Sequence, residues 1–295
     1  MEFKPLNLEL KGLLDTHLQA DNFSVSDVNF TNLYLWRRAR DIRLALVCGC
    51  VVIRTQYPKQ APFYFYPIGA GDKKGALAEL LAHTKAHNEV LEFRALQTDQ
   101  RAQLESFYPN TFSVEAKRDR FDYVYHTAEL IALQGKKYHK KKNHLNAFLK
   151  QYPHFIYEPI SAHKRDQIVS ALVEWRALGQ ADQALDYEHQ GILDALEVFE
   201  ELQLQGGLIC IEERVVGLSF GERINAEMAV IHIEKADPRV RGAYQMINQQ
   251  LLAHAFKDCP LVNREEDLGI EGLRQAKMGY HPAFLLEKFH ATYKD

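Results

Sequence analysis

The chain of 295 residues is 46% hydrophobic and 25% charged, with 36 Lys and Arg residues against 39 Asp and Glu residues. This composition is that of a globular protein and excludes a disordered, collagen-like or disulfide-rich chain. The net charge of −3 argues against a surface that binds nucleic acid or anionic lipid as a whole, so any basic patch must be local.

The sequence shows neither a targeting signal nor a cysteine motif for metal or redox chemistry. The start of the chain lacks the cationic and apolar regions of a signal peptide, and no apolar run reaches the roughly 20 residues that span a bilayer. We therefore expect a cytoplasmic protein without a transmembrane segment, and nothing indicates peripheral membrane contact. Cys48 and Cys50 do not have CxxC spacing, and Cys210 and Cys259 are isolated, so we expect reduced thiols and no metal site.

The first half of the chain alternates between helical and strand patterns. The segment RLALVCGCVVIRT predicts a hairpin about Gly49, and an aromatic strand follows at residues 62–69. The predicted helices are 6–20, 29–36, 72–87 and one from residue 98, and the other predicted strands are 90–94, 111–115 and 121–125.

The second half repeats this order after a basic helical segment at 127–152. Its predicted helices are 161–177, 188–204, 241–256 and 269–278, and its predicted strands are 155–159, three within 206–237, 260–262 and 284–293. We therefore predict a tandem duplication, with an N-terminal domain at 1–130, a basic connecting helix at 131–154 and a C-terminal domain at 155–295.

The order ααβββαβαβ resembles that of the GNAT acyltransferase fold, in which two neighbouring central strands splay apart and leave a cleft. This resemblance implies an α+β protein of mixed α/β composition. It implies two tandem GNAT-like domains, each with a mixed, mostly antiparallel sheet flanked by helices.

The basic segment at 135–153 holds six lysines and two histidines before Tyr152 and no acid. As a helix it has an apolar stripe, near which Lys141 and Lys142 lie, so both are predicted to point toward the protein body. Uncompensated lysines repel one another unless an anion lies opposite, which favours phosphates of an RNA, a nucleotide cofactor or a lipid head group. A solvated helix face is the alternative. The candidate phosphate-binding residues are Lys136, Lys137, His139, Lys140, Lys141 and Lys142.

A second candidate anion site is the turn that carries Arg239, Arg241 and Gly242 at the start of a helix. Unpaired N–H groups at a helix N-terminus attract anions, and glycine lets a phosphate approach. The turn partly matches the Arg/Gln-x-x-Gly-x-Gly/Ala pattern by which GNAT enzymes hold the pyrophosphate of coenzyme A. Tyr244 departs from that pattern, and a plain turn with solvated arginines is the alternative.

A third candidate site is the polar exit of the strand at 260–262, followed by a helix whose end resembles the Lys-x-Gly-Tyr/Phe closure of GNAT proteins. Polar residues at a buried strand's exit lie where active sites form. Acids before a helix also compensate its N-terminal dipole, which is the alternative. The candidate catalytic residues are Asn263, Glu265, Glu266 and Asp267, and the candidate binding residues are Arg264 and Tyr280.

Four segments carry a resemblance to a known family: residues 26–37, 121–125, 135–148 and 263–282. They resemble bacterial proteins related to the C-terminal domain of phosphatidylglycerol lysyltransferase, which is a tandem pair of GNAT-like folds similar to the Fem peptidyltransferases. The resemblance implies transfer of an aminoacyl group from aminoacyl-tRNA to an amine or hydroxyl acceptor.

An aminoacyl ester is already activated, so the protein must orient it and stabilise the oxyanion. The hypothesis is that the lysines of 136–142, with Arg239 and Arg241, hold phosphates, while Glu265, Glu266 or Asp267 contacts an amine. His139 and His144 are candidate proton carriers. Two alternatives stay open: a coenzyme A-dependent N-acyltransferase, with a coenzyme A thioester as donor, and a non-catalytic module that binds RNA or a nucleotide.

Overall fold

The computed structural model describes residues 1–21, 23–179 and 182–294. Up to residue 126, the elements are β1 (Lys4–Pro5), α1 (Lys11–Asp21), α2 (Phe30–Trp36), β2 (Asp41–Val47), β3 (Cys50–Gln56), β4 (Phe63–Tyr64), α3 (Lys73–Ala86), β5 (Glu92–Leu96), α4 (Thr98–Phe107), β6 (Phe112–Ala116) and β7 (Asp122–His126). They are followed by α5 (Thr127–Ala132), α6 (His139–Gln151), β8 (Ile156–Pro159), α7 (Arg165–Ala177), α8 (Gln183–Glu197), β9 (Gln205–Ile211), β10 (Arg214–Arg223), β11 (Met228–Ala236), α9 (Ala243–Ala255), β12 (Leu261–Asn263), α10 (Glu271–Met278), β13 (Phe284–Leu286) and β14 (Phe289–Tyr293).

The strands form two seven-stranded sheets. The first has the order β1-β2-β3-β4-β5-β14-β6, and the second has the order β13-β7-β12-β11-β10-β9-β8. The pairs β4–β5 and β11–β12 are parallel, and the neighbours on either side of them are antiparallel. Each sheet is therefore mixed and mostly antiparallel, as predicted.

The chain divides into two compact units, Met1–Asp122 with Leu286–Asp295, and Tyr123–Leu285. In the first sheet, β14 lies between β5 and β6, and in the second sheet β7 lies between β12 and β13. Each half of the chain thus gives one strand to the other half's sheet. The predicted domain boundaries after residues 130 and 154 differ from this division, because a division into consecutive segments cannot include an exchanged strand.

Local sequence explains where several elements begin and turn. The β2–β3 hairpin closes through Cys48 and Gly49, which both have positive φ (50° and 76°), as a two-residue turn requires. Asp72 caps α3 by accepting a hydrogen bond from the Gly75 N–H at 2.9 Å. The predicted hairpin at Gly49 and the predicted start of this helix agree with the structure.

The predicted single strand at 284–293 is wrong, because it divides into β13 and β14, which belong to different sheets. Between them lies Lys288, whose side chain is fully buried in the first unit. Its ammonium group pairs with Asp122 at 2.6 Å and with Asp27, and it lies 3.3 Å from the Ser26 hydroxyl. Asp122 also accepts hydrogen bonds from the backbone and hydroxyl of Ser26. These buried charges lie where the chain passes from β13 to β14, that is, from one sheet to the other.

Candidate functional site

Strands β11 and β12 of the second unit splay apart. They pair in parallel from Met228 opposite Leu261 to Val230 opposite Asn263, where β12 ends. Strand β11 continues to Ala236, so its last six residues run beyond β12. The opening begins at Asn263, the last residue of β12, where the polar strand exit follows. The sequence predicts a site at this place.

Arg264 lies in this opening and is nearly buried, with a side chain that is 10% exposed. Its Nη2 atom donates to both carboxylate oxygens of Glu234 on β11, at 2.8 and 3.0 Å. Burial disfavours the charged guanidinium, but Glu234 outweighs it and raises the pKa of Arg264. Its Nη1 atom is buried without a hydrogen-bond partner among the described residues. Arg264 therefore keeps an unused, permanently charged donor at the splay.

Lys141 of helix α6 supplies a second cation beside Arg264. Its ammonium group lies 4.0 Å from the ring centroid of Tyr280, and the Arg264 guanidinium carbon lies 4.6 Å from the same centroid. Lys141 also donates to the Ala276 carbonyl at 3.0 Å. Burial, and then the charge of Arg264, lower the pKa of Lys141 to about 8. We call Lys141, Arg264, Glu234 and Tyr280 the Tyr280 cluster; its two cations against one carboxylate favour an anion.

The acids of the strand exit hold neighbouring side chains. Glu265 accepts a hydrogen bond from His232 of β11 at 2.9 Å, and Glu222 holds the other ring nitrogen at 3.0 Å. Burial opposes a charge on His232, but these two hydrogen bonds outweigh it and raise the pKa of His232 to about 9. His232 is therefore an imidazolium at neutral pH. Asn263 completes this group by accepting a hydrogen bond from the Glu265 N–H at 2.7 Å.

Asp267 and the backbone of the strand exit anchor helix α10. Asp267 is fully buried and accepts hydrogen bonds from Arg274 at 2.8 and 2.9 Å and from the Tyr123 hydroxyl at 2.5 Å. Burial raises its pKa, but these donors lower it well below its ordinary range. The Lys277 ammonium donates to three successive carbonyls, at 2.6, 3.1 and 2.5 Å; they belong to Arg264, Glu265 and Glu266. Asp267 and Lys277 thus fix the loop that carries Arg264.

The basic segment is helical, as predicted, and most of its charge faces solvent. Lys141 is half-buried, as predicted, but Lys142 is exposed, which is contrary to the prediction. Lys142 lies seven residues before Leu149, which is 43% exposed, so both belong to the solvent side of the apolar stripe. Lys137 pairs with Glu129 at 2.6 Å. The remaining candidates of this segment, all exposed, are Lys136, His139, Lys140 and His144.

At the candidate anion site at the start of α9, protein carboxylates bind one of the two arginines. Arg239 donates to Asp237 and to Glu174 although its side chain is 47% exposed, and Arg241 is also exposed. A Cβ added at Gly242 would lie 2.4 Å from the His144 carbonyl oxygen of α6. Gly242 therefore serves the close approach of α6.

Replacing Gly242 is expected to destabilise the second unit. Its φ of +88° costs about 1–2 kcal/mol for alanine, and the contact with α6 adds about 1–3 kcal/mol. Gly242→Asn is expected to avoid most of the φ cost but to keep the contact cost of about 1–3 kcal/mol, because asparagine tolerates this φ and carries the same Cβ. Gly272→Ala is the control, since nothing lies within 4 Å of its added Cβ on helix α10. Urea unfolding measures the stability of Gly242→Ala, Gly242→Asn and Gly272→Ala. A small loss of stability in Gly242→Asn would show that only the φ of residue 242 matters.

Sequence reasoning missed the partners that β11 provides. His232 and Glu234 are polar residues two positions apart in an apolar strand, so they share one face, and this alternation was the available signal.

Among the described residues, no helix is both long enough and apolar enough to cross a bilayer.

The two units have the fold of tandem GNAT-like domains. A tandem GNAT protein from the clavulanic acid biosynthesis pathway is similar over 100% of this chain and 99% of its own, with a TM-score of 0.50 and 10% identity. The chain belongs to the family of the phosphatidylglycerol lysyltransferase C-terminal domain, whose family model matches residues 22–292. The predicted fold class and the predicted family are thereby confirmed.

The chain is also similar to individual proteins. A conserved protein of unknown function from Bacteroides thetaiotaomicron VPI-5482 is 32% identical, with a TM-score of 0.92 and 100% of both chains covered. L-PGS from Bacillus licheniformis shares the fold at 13% identity, with a TM-score of 0.63 over 90% of this chain and 87% of its own. An uncharacterized protein of Mycoplasmoides gallisepticum is 25% identical over 174 residues, which are 57% of this chain. The match spans 54% of that protein, about half of its length.

Proposed function

We propose that this protein transfers an aminoacyl group from aminoacyl-tRNA to an amine or hydroxyl acceptor. The observation that carries the proposal is the unused Nη1 donor of buried Arg264 beside Lys141, at the splay of β11 and β12. Membership in a family described as phosphatidylglycerol lysyltransferase supports transfer chemistry and leaves the acceptor open.

The reaction needs charge stabilisation and little else from the protein. The acceptor's nitrogen or oxygen attacks the ester carbonyl carbon, the bond to the ribose 3′ oxygen breaks, and that oxygen gains the proton that the acceptor loses. In this proposal Nη1 of Arg264 donates to the carbonyl oxygen as it becomes negative. The Lys141 ammonium donates one hydrogen bond to the Ala276 carbonyl, and in this proposal it also contacts the terminal phosphodiester of the tRNA.

The remaining predicted residues have supporting roles in this proposal. Exposed lysines of the α6 segment take the backbone phosphates that lead to the Tyr280 cluster. Glu265 and Asp267 are positioning residues, because their carboxylates hold His232 and Arg274. Arg239 is left out, since its guanidinium already pairs with Asp237 and Glu174. The exposed lysines given this role are Lys136, Lys140 and Lys142; Lys137, which pairs with Glu129, and Lys150 are also exposed.

Binding of tRNA is expected to weaken as the pH rises from 7 to 9. The pKa of Lys141 is lowered to about 8, so its charge is present below this pH and is lost above it. Fluorescence anisotropy with labelled uncharged tRNA measures the dissociation constant at each pH. Lys141→Arg is expected to keep the pH 7 affinity at pH 9, and Lys141→Met to bind weakly, by about tenfold, at both.

Thermal unfolding at pH 7, with acetyl-CoA or aminoacyl-tRNA as the ligand, completes the test. Stabilisation by aminoacyl-tRNA, together with a release of its amino acid to hydroxylamine, a simple amine acceptor, that is faster than the spontaneous release without protein, supports the proposal. Stabilisation by acetyl-CoA alone would overturn it in favour of a coenzyme A-dependent enzyme. Saturable tRNA binding without any transfer would overturn it in favour of a binding module.

A further inference from the structure

A cleft in the first unit is lined by more cations than acids, and none of them has a role in the proposed function. Its volume is about 340 Å³, and it is open to solvent. Asp41 is the one carboxylate among its described lining residues, and it already pairs with Arg43, outside the cleft, at 2.8 Å. The cationic lining residues are Arg37, Arg38, Arg40 and Lys59. This set of charges favours an anion.

Two adjacent turns of the chain bring these cations together. The first turn follows α2, where the Ala39 N–H donates to the Trp36 carbonyl at 3.0 Å. The second turn follows β3 and contains Lys59, whose φ is 62°. Asp41 at the start of β2 pairs with Gln56 at the end of β3, so the two turns lie side by side at one end of the hairpin. The cleft is therefore a consequence of the hairpin's register.

Arg40 is the buried cation of the cleft, with 9% of the residue exposed. Its Nη2 atom lies 3.5 Å from the side-chain oxygen of Asn32, and its guanidinium carbon lies 5.9 Å from the ring centroid of Tyr57. Its Nε atom is buried without a hydrogen-bond partner among the described residues. These neighbours are neutral, and a buried charge without a counter-charge is costly. An anion in the cleft would supply the charge that Arg40 lacks.

The cleft has room for more than a free ion. A water molecule takes about 30 Å³ of the liquid, so a cleft of about 340 Å³ accommodates an anion together with an organic body. Tyr57 and Pro58 give part of the lining an apolar surface, and the Tyr57 ring stacks on Phe63 with 6.3 Å between the ring centroids. Arginine and lysine bind phosphate oxygens through charge-assisted hydrogen bonds, and arginine does so with two donors at once. A phosphate ester combines the anion and the body.

We propose that this cleft binds a small phosphate monoester, with its phosphate at Arg40 and Lys59 and its body against Tyr57. A monoester carries about two negative charges at pH 7, which match these two cations. Nucleoside monophosphates and sugar phosphates share this chemistry. The inference goes beyond the proposed function and does not rest on it, because the Tyr280 cluster belongs to the second unit and the cleft to the first.

Isothermal titration calorimetry of the whole chain at pH 7 tests the cleft without tRNA. AMP or ribose 5-phosphate is expected to bind saturably, at one site per chain. Adenosine, which lacks the phosphate, and inorganic phosphate, which lacks the body, are expected to bind at least about tenfold more weakly, because each loses one set of contacts. Tighter binding of AMP than of ribose 5-phosphate would assign a nucleotide, and any other order a sugar phosphate.

Two lysine variants decide whether the heat comes from this cleft. Lys59→Gln, at an exposed position, is expected to weaken binding of the preferred monoester by about tenfold. Lys74→Gln is the matched control, because Lys74 is also an exposed lysine of the first unit but does not line the cleft; it is expected to bind as before. Arg40→Gln is expected to abolish binding, and thermal unfolding checks that this variant is folded.

Three results would overturn the inference. They are the absence of saturable binding for AMP and ribose 5-phosphate alike, an affinity for adenosine or inorganic phosphate equal to that for the monoesters, and binding that Lys59→Gln leaves unchanged. If Lys59→Gln weakens binding of tRNA while no monoester binds, the inference is overturned in favour of an RNA contact. None of these measurements includes transfer to hydroxylamine, so the inference and the proposed function fail separately.

Discussion

Replacing Lys288 with methionine is expected to lower the free energy of unfolding of the first unit by about 3–5 kcal/mol. Methionine has a similar length, so the loss comes from charge: Asp122 and Asp27 would be left without the ammonium group that pairs with both. Urea unfolding of the Trp175→Phe protein measures this loss, because the remaining indole, Trp36, lies in the first unit.

Lys117→Met is the matched control for Lys288→Met. Lys117 also pairs with a carboxylate of the first unit, Glu115, but its side chain is 34% exposed and that of Glu115 is 68% exposed. Exposed ion pairs contribute about 0–1 kcal/mol, so a small change is expected. Adding Asp122→Asn to Lys288→Met is expected to recover part of the stability, since one uncompensated charge disappears. Equal effects of the two methionine variants would contradict the role given to burial.

Replacing Arg264 with glutamine is expected to reduce the rate of transfer to hydroxylamine by roughly 10²–10³-fold, the usual cost of losing one donor to a developing oxyanion. Glutamine cannot supply a charged group, and the Nη1 atom that we assign to the carbonyl oxygen is lost. Single-turnover release of labelled amino acid from aminoacyl-tRNA measures the rate. Binding of tRNA is expected to change far less, because Lys141 remains.

A stability control is needed because Arg264→Gln leaves Glu234 without its guanidinium. The double variant Arg264→Gln with Glu234→Gln removes that charge as well, and is expected to unfold like the wild type and to stay slow. Arg165→Gln, on a side chain that is 48% exposed in the same unit, is expected to leave the rate unchanged. A double variant with the wild-type rate would remove Arg264 from the mechanism.

The sequence carried enough information to predict most of the order of elements and the polar segment that follows β12. Helical spacing, the turn at Gly49 and the polar exit at Asn263 are local signals, and each appears in the structure where it was expected. The partial burial of Lys141 could also be predicted from helical geometry alone. The exposure of Lys142 could not be predicted, because the position of the apolar stripe is set by what α6 packs against, as the exposed Leu149 shows.

Pairings between distant residues could not be predicted. Lys288 looked like one polar residue in a single strand, whereas its burial depends on Asp27 and Asp122, far away in the chain. Likewise the close contact of Gly242 with His144 of helix α6 was not predicted, because it depends on how α6 packs. Both contacts concern tertiary partners, which local patterns do not contain.

The position of β14 constrains the order in which the ribosome can yield a finished first unit. Strands β5 and β6 are synthesised early, but the strand that lies between them is made after the entire second unit. Until then β5 lacks one of its neighbours and β6 lacks its only neighbour in the sheet, and unpaired edges invite pairing with other chains. The nascent first unit therefore remains incomplete until β14 has been synthesised.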